Sequence, residues 1–460
     1  MQSNSLKQYT DLYEQHGHDL REGSPEAMNR LRRHAHEFLT GAGTSLPRRG
    51  QDGYAHTDLN AMFAPDYGVN IGRLAFRADL PSAFRCGVPN VSSLMGVVAN
   101  DIFGPGEAMA KRLPEGVTVT TLRRAALTMP EVLEHYYGTV APADNPAVAL
   151  NNMLAQDGVL VHIARGVRLP QPVQLIEILG GVTSPLLALR RLLVVLEAGA
   201  ECRLLVCDHS APADDVDGHP VRMASDTVVE IDLGPGAHFE YYDMQESAAA
   251  TDRYACIAVR QSADSTFRSN ITTLRCGQTR NDIIVSLDGE GADCRLSGMA
   301  TAGGMQVVDN STLVVHNAPH CHSDQLFKYV ADDEARCAFE GLIKVQPGAH
   351  HTEAYQNNRN ILASKGARMH TRPQLEIYCD DVKANHGAAT GQLDEEALFY
   401  MRTRGIPVDE ARTMLMQAFM VDVIDSITLL PLRERMRQLV SRRFGSPGDM
   451  CAACSPEVEH

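Results

Sequence analysis

Tryptophan is absent from this sequence of 460 residues, and aromatic side chains make up only 5% of it. Long apolar runs are missing as well. Charged residues such as Glu197 and Glu201 interrupt runs like Leu192–Leu196 far short of the roughly 20 apolar residues that a membrane-spanning helix needs. The first residues, Met-Gln-Ser-Asn, lack the apolar core of a signal peptide. We therefore expect a cytoplasmic protein without a membrane segment.

An excess of positive charge is also lacking, since the formal net charge is −15. Nucleic-acid binding depends on a basic surface that displaces counterions, so DNA and RNA are not expected partners. The 11 cysteines are odd in number and scattered from Cys86 to Cys454. A secreted disulfide framework would be denser and usually even, which favours reduced thiols, most of them buried in strands.

Common catalytic motifs are not found either. No P-loop, no Gly-x-Gly-x-x-Gly after a strand, no Gly-x-Ser-x-Gly elbow and no His-Glu-x-x-His occurs. We therefore nominate no catalytic residue and expect a protein that is not an enzyme. The alternative is a carbohydrate-active enzyme with carboxylates such as Glu230 and Asp232 along a β-solenoid, and a self-associating structural solenoid is a third possibility.

Three parts can be distinguished along the chain. Residues 1–157 are predicted to be a helical domain, with helices after Ser24-Pro25-Glu26, around 93–112, and from Asn145-Pro146 to Gly158. Residues 391–445 are predicted to be a second helical domain, in which Asp394 caps the first helix and Pro407 precedes the second. Residues 446–460 have the composition of a frayed tail.

The middle part, residues 158–390, is predicted to be a β-domain. Short β-branched runs alternate with Gly, Asn and Asp turns. These runs are Val159–Ile163, Val173–Leu179, Val228–Leu233, Ser265–Leu274, Ile283–Leu287, Thr312–Val315 and Leu342–Val345. A small residue followed by alanine and a polar residue recurs before strands, as at Gly291-Ala292-Asp293 and Gly348-Ala349-His350. Its loose period of about 28 residues favours a β-solenoid over a β-sandwich.

Four groups of residues have ligand chemistry for a metal. Cys451 and Cys454 have suitable spacing, but stand without a second pair. The other groups are His316 with His320, Cys321 and His322; His350 with His351 and Glu353; and His386. If Leu375 to His386 is one strand, Ala384 and His386 share a face, and Cys379 points to the other. From spacing alone, a hydrogen-bonded residue at the end of the β-domain is the better explanation of His386.

The segment 373–406 reads PQLEIYCDDVKANHGAATGQLDEEALFYMRTRGI, and it resembles the C-terminal signature of the SufB/SufD family of iron–sulfur cluster assembly proteins. The continuation Glu410 to Phe419 is also similar. Upstream segments resemble the family in order and spacing: His316-Asn-Ala-Pro, Phe339-Glu-Gly341, Gly348-Ala349 and Gln356-Asn-Asn-Arg-Asn360. Near the N-terminus, Thr57-Asp58-Leu59 and Phe63-Ala-Pro-Asp-Tyr67-Gly resemble the SufD branch.

This resemblance implies a right-handed parallel β-helix flanked by N-terminal and C-terminal helical domains. It also implies a non-catalytic scaffold subunit of the SUF system that pairs with a SufB-like subunit and docks a SufC-like ATPase, whose motion opens the SufB–SufD interface. Sulfur would arrive indirectly from a cysteine desulfurase system. The chain would join this complex, and a homodimer is the alternative when the chain is isolated. The candidate region for the SufC contact contains Asp394, Glu395, Phe399, Met414 and Phe419. The Met-rich second helix, with Met414, Met416 and Met420, should hold part of this contact, and ordinary helix packing explains any one of these methionines equally well.

For the metal, the resemblance implies a transient iron–sulfur cluster shared with SufB and none bound tightly by this chain alone. SufD proteins often have Cys two residues before the signature histidine, where this chain has Ala384. His386 is therefore the candidate ligand at the SufB interface, and the thiolate would come from SufB.

Overall fold

The computed structural model describes residues 4–71, 94–105, 109, 111–211, 214, 215 and 217–444. Cys86, Cys451, Cys454 and the tail 446–460 lie outside the described residues. The helices of the N-terminal part are α1 (Leu6–Arg21), α2 (Glu26–Leu39), α3 (Leu59–Met62), α4 (Leu122–Thr128), α5 (Pro130–Tyr136) and α6 (Pro146–Leu154). The helices of the C-terminal part are α7 (Glu395–Thr403), α8 (Val408–Asp425) and α9 (Leu430–Phe444).

The strands between these helical parts belong to two sheets. In chain order they are β1 (Leu94–Ala99), β2 (Ile102–Pro105), β3 (Val117–Thr121), β4 (Val159–Ile163), β5 (Val173–Leu179), β6 (Leu186–Leu196), β7 (Glu201–Ser210), β8 (Met223–Leu233), β9 (His238–Glu246), β10 (Thr251–Gln261), β11 (Thr266–Arg275), β12 (Gln278–Leu287), β13 (Asp293–Ala302), β14 (Val307–His316), β15 (His322–Ala331), β16 (Arg336–Val345), β17 (Thr352–Leu362), β18 (Arg368–Ile377) and β19 (Val382–Gly391).

Consecutive strands from β4 onward alternate between the two sheets, and each pairs in parallel with the strand two positions away. Gln278 pairs with Val307, and Val307 pairs with Arg336, so these coils repeat every 29 residues. The described strands thus wind into a parallel β-solenoid of about eight coils. The predicted parallel β-helix between helical parts is confirmed, and the β-sandwich is not formed.

The recurring small-Ala-polar segments lie at corners of the coils. Gly291 and Gly348 have φ angles of 73° and 87°, in the left-handed region that glycine enters without steric cost. The following alanines, Ala292 and Ala349, are fully buried. A sharp turn followed by a small inward side chain explains why this pattern repeats once per coil.

The helical parts cover opposite outer faces of the solenoid. The N-terminal helices pack on the nine-stranded sheet, where Leu193 and Tyr254 face them from β6 and β10. The C-terminal helices pack on the ten-stranded sheet, where Tyr242 and Met299 face them. The helices predicted after Ser24-Pro25-Glu26 and in the C-terminal part are confirmed. The helix predicted from Asn145-Pro146 is also confirmed as α6, whose N-cap Asn145 accepts hydrogen bonds from the Ala147 and Val148 amides.

An ion network crosses part of the solenoid interior. Arg190 contacts Glu177 at 2.8 Å and Asp208 at 3.0 Å, and Arg253 contacts Asp208 at 2.7 Å and Asp243 at 2.9 Å. All five side chains are buried. Burial raises the pKa of the Glu177 carboxyl to about 7, although Arg190 opposes this. Buried charges require such pairing, which specifies one register of the coils.

The helix predicted around 93–112 is wrong. Residues Leu94–Ala99 form β1 and residues Ile102–Pro105 form β2. β1 pairs in parallel with β5, with Leu94 opposite Val173. This partner lies almost 80 residues along the chain, and sheet pairing at that distance overrides the local preference of Leu, Met and Ala for helix.

The single strand predicted from Leu375 to His386 is also wrong. β18 ends at Ile377, and β19 begins at Val382 in the other sheet. Residues 378–381 form the corner between them. Ala384 and His386 still share one face, because both lie in β19. Cys379 lies in the corner, so it is not on the opposite face of that strand. Among the described residues, no helix has both the length and the apolar character to cross a membrane.

Candidate functional site

The last coil, made of β18 and β19, leaves one end of the solenoid open. β18 is the edge of the nine-stranded sheet and β19 is the edge of the ten-stranded sheet. Each of them pairs with a neighbouring parallel strand on one side. Such edges carry backbone N–H and C=O groups that can pair with another chain. The opposite end finishes differently, in the short antiparallel strands β2 and β3.

His386 lies on β19 in a column of inward-facing side chains. The column passes from Leu296 to Gln325, Gln356 and His386 in successive coils. Gln325 and Gln356 are fully buried because the next coil covers them. His386 is exposed because no described strand follows it. The imidazole is therefore an interior side chain that becomes accessible at the open end.

Apolar side chains surround His386 at this end. Leu375, Val382 and Ala384 pack partly against the buried cluster of Ile343 and its neighbours, and they remain incompletely covered. Ile377 is 40% exposed. The last coil therefore exposes apolar side chains at positions that face the solenoid interior in the preceding coils. An exposed apolar surface of this kind is characteristic of stable protein interfaces.

Ala384 occupies the inward position two residues before His386. It continues the column Cys294, Ser323 and Ala354. A methyl group at this position provides no ligand. Of these two inward positions, the one at His386 carries a side-chain atom capable of binding a metal.

A group of three side chains whose donor atoms lie close enough to bind one metal ion occurs away from the last coil. Among the described residues, the group with three donor atoms within 4.8 Å of one another is Asp215, Asp217 and His219. Asp217 and His219 are exposed, and Asp215 receives hydrogen bonds from the backbone amides of Asp217 and His219. These bonds account for the cluster as an acidic turn.

The corner of the last coil brings His350 and His351, from one predicted group, next to Cys379 and Asp381. Cys379 Sγ lies 3.3 Å from His350 Nδ1, and His351 Nδ1 lies 2.9 Å from Asp381 Oδ2. Glu353, predicted with these histidines, instead accepts a hydrogen bond from Lys383 at 2.8 Å.

The predicted group around His316 is dispersed by the fold. His316 is fully buried and its Nε2 lies 2.8 Å from Ser323 Oγ. Burial lowers the pKa of His316 to about 4. His322 instead contacts Asp293 at 2.9 Å, and Cys321 is buried at the corner. These side chains serve the packing of two coils.

The carboxylates of the carbohydrate-enzyme alternative also have structural roles. Glu230 is buried, pairs with Arg191 at 2.6 Å, and accepts hydrogen bonds from the backbone amides of Gly138, Val140 and Ala141. Asp232 pairs with Arg260 at 2.6 Å. A carboxylate held by four donors has no free lone pair for acid–base chemistry.

The candidate ATPase-contact residues lie on the C-terminal helices. Asp394 caps α7 by accepting hydrogen bonds from the Glu396 and Ala397 amides, and Glu395 occupies the first turn. Helix α7 has no buried residue, and Phe399 is 68% exposed. Met414 is 44% exposed on α8.

The other two methionines of α8 do not share this surface. Met416 and Met420 are buried in the C-terminal core, which agrees with the alternative of ordinary helix packing. Phe419 is partly buried, because its ring covers the Lys328 ammonium at 4.9 Å.

Lys328 was not nominated from the sequence, yet it attaches the C-terminal helices to the solenoid. Its Nζ donates hydrogen bonds to the Phe419 carbonyl at 2.8 Å and to Asp422 Oδ2 at 2.6 Å. The side chain is 4% exposed on β15, on the outer face of the sheet. A lysine between Leu326 and Val330 on this face of the strand is the signal that could have revealed it.

Comparison with known proteins agrees with this architecture. Residues 181–419 match the model of the SUF system FeS cluster assembly SufBD core domain, and residues 3–175 match that of the SufBD protein N-terminal region. The iron–sulfur cluster assembly protein SufD of Escherichia coli is 26% identical over 96% of this chain and 96% of its own. An iron–sulfur cluster assembly SufBD family protein of Synechocystis is 28% identical over 86% of this chain and 87% of its own. The chloroplastic protein ABCI7 of Arabidopsis thaliana is 25% identical over 76% of this chain.

Proposed function

The chain belongs to the SufBD family of iron–sulfur cluster assembly proteins, and on this premise we propose that it is a non-catalytic scaffold subunit of a SUF complex. In this proposal its last coil pairs with a SufB-like subunit, and its C-terminal helices dock a SufC-like ATPase. Iron and sulfur are the cargo, and the cysteine desulfurase system supplies the sulfur without contacting this chain.

The observation that carries the proposal is the open end of the solenoid. The unpaired edges of β18 and β19 and the incompletely covered Leu375 and Ile377 need a partner of matching shape. A SufB-like subunit with a similar β-helix end supplies complementary strand edges and a complementary apolar interior. A second copy of this chain offers the same features, so a homodimer competes for this end when the SufB-like subunit is missing.

Within the described part of the chain, His386 is the one imidazole on the inward face of β18 and β19, which suits a shared rather than a self-contained metal site. A single neutral imidazole holds a metal weakly, and a thiolate from the partner would complete the coordination. The cluster would then form at the interface and leave when the interface opens.

The exposed surface of the C-terminal helices supports the ATPase docking. Phe399 and Tyr400 are 68% and 59% exposed on α7, and Met414 and Val421 are exposed on α8. Apolar side chains of this size at a helical surface are typical of partner contacts. Lys328 and Phe419 connect α8 to β15, so a movement of the helices by the ATPase would pull on the strands that precede the last coil.

Co-expression with SufB-like and SufC-like subunits tests the proposal. We expect His386→Ala to leave the three-subunit complex intact and to lower the iron and acid-labile sulfide recovered after reconstitution. His219→Ala is the matched control, because His219 is exposed and remote from the last coil. Unchanged iron and sulfide in His386→Ala would remove this histidine from the mechanism, and failure of the three subunits to co-purify would refute the scaffold role.

A further inference from the structure

A thiol and an imidazole meet at the corner of the last coil, about 13 Å along the strand from His386. Cys379 Sγ lies 3.3 Å from His350 Nδ1. Beside them, His351 Nδ1 lies 2.9 Å from Asp381 Oδ2. Four potential metal ligands thus come from two stacked corners, residues 346–351 and 378–381.

The backbone holds these two corners in register. The His351 amide donates a hydrogen bond to the Asp381 carbonyl at 2.7 Å. His351 adopts a left-handed φ of 58°, an uncommon conformation for a residue with a side chain, and its ring stacks on His320 at 4.6 Å. Because the corners are fixed to each other, the Cys379–His350 contact does not depend on a flexible loop.

Cys379 differs from the other cysteines that the structure describes. Cys202, Cys207, Cys256, Cys276, Cys294, Cys321 and Cys337 are buried. Cys379 is partly exposed, and its side chain rests against the apolar cluster of Val345 and Ala349. Among the described cysteines, it is therefore the thiol that solvent and ions can reach.

The separation of the two ligand atoms suits a metal ion. With Zn–S and Zn–N bonds of about 2.3 and 2.05 Å, a separation of 3.3 Å corresponds to an S–Zn–N angle of about 100°. This value is close to tetrahedral. Thiolate with imidazole is a ligand pair that selects borderline divalent ions such as Zn²⁺ and Fe²⁺.

Negative charge surrounds the pair. Asp380 and Asp381 are exposed in the same corner as Cys379. The cationic Lys383 is already paired with Glu353, and Lys344 is 3.5 Å from Glu376. The local field therefore attracts a cation to this corner.

We propose that Cys379 and His350 form a two-ligand binding site for a borderline divalent metal ion, Zn²⁺ or Fe²⁺. Binding replaces the thiol proton by the metal and leaves coordination positions open to water. Two ligands with open positions hold an ion less tightly than a closed four-ligand structural site, which suits loading and release. The site uses residues of this chain alone and does not depend on the proposed pairing with SufB.

Metal titration of the full-length chain, without partner subunits, tests the proposal. Co²⁺ serves as the probe because its thiolate complexes absorb in the near ultraviolet, and Zn²⁺ is then added as competitor. We expect one Co²⁺ with a thiolate charge-transfer band that Zn²⁺ abolishes. Cys379→Ser should remove the band, and His350→Ala should weaken Co²⁺ binding roughly tenfold or more.

Two matched variants keep the test specific. His386→Ala and His219→Ala should leave the band and the affinity unchanged, because these histidines lie outside the corner. A band that survives Cys379→Ser, or that is lost in His219→Ala or His386→Ala, would overturn the proposal, as would binding insensitive to His350→Ala. Thermal unfolding of each variant checks that loss of metal does not reflect loss of fold. Since no partner is present, the outcome is separate from that of the scaffold role.

Discussion

Replacing Lys328 by methionine should loosen the C-terminal helices from the solenoid. Methionine keeps the apolar stem of the side chain and removes the ammonium group, which is 4% exposed beneath α8. The change removes the charged donor to the Phe419 carbonyl at 2.8 Å, the contact with the Phe419 ring at 4.9 Å, and the pair with Asp422.

The magnitude follows from these three contacts. A hydrogen bond from a charged donor contributes about 1.5–3 kcal/mol, and the ring contact about 0.5–1 kcal/mol. The Asp422 carboxylate is 64% exposed, so its pair contributes less than about 1 kcal/mol after solvent screening. We therefore expect Lys328→Met to reduce the free energy of opening of α8 by about 2–4 kcal/mol.

Native-state hydrogen exchange measures this opening. Exchange of the α8 amides should accelerate roughly 30-fold to 1,000-fold, while the amides of β10 and β12 in the nine-stranded sheet stay unchanged. Lys344→Met is the matched control, because Lys344 also pairs with a carboxylate and lies 5.7 Å from the Tyr378 ring, but is 34% exposed. An α8 exchange rate in Lys328→Met equal to that of Lys344→Met would refute the account of how these helices are attached.

Two further predictions concern buried groups. Asp226 is fully buried, and burial raises its pKa well above the usual range. Because the carboxyl ionises more easily in the unfolded chain, the free energy of unfolding falls as the pH rises from the unfolded pKa near 4 towards the folded pKa. The free energy of unfolding of Asp226→Asn, measured by urea titration, should therefore rise relative to that of the unmodified chain as the pH increases from about 4 to 8. A difference between the two proteins that does not change with pH would contradict this. A Cβ at the buried Gly158 would lie 2.5 Å from the backbone carbonyl oxygen of Arg191. Gly158→Ala should thus lower the free energy of unfolding by about 1–3 kcal/mol, whereas Gly391→Ala, with no atom within 4 Å, should change it little. Equal urea midpoints for the two variants would contradict the packing.

The strands of the β-solenoid could be predicted because their local pattern agrees with their final environment. Runs such as Val159–Ile163 and Val173–Leu179 are β-branched and bounded by turn residues, and both are strands as predicted. Leu94–Ala99 could not be found in this way. Val97 and Val98 are its only β-branched residues, and its pairing with β5 depends on a segment far along the chain.

The candidate site was accessible to sequence reasoning only in part. The resemblance identified His386, but its exposure follows from its position on the final coil, which no local pattern reveals. The corner at Cys379 was missed because Tyr378-Cys379-Asp380 lacks a turn glycine, although a coil of about 30 residues after Gly348 places a corner there. The contact between Cys379 and His350 arises only when two corners stack, so it required the structure.

The most direct test of the scaffold role is a hydrogen-exchange comparison of the isolated chain with its complex with a SufB-like subunit. The isolated chain is measured at a concentration where it is monomeric. We expect the amides of β18 and β19 to become protected in the complex, and those of β2 and β3 at the opposite end to remain unchanged. Protection confined to β2 and β3, or no change at β18 and β19 in a stable complex, would contradict the assignment of the open end as the assembly interface.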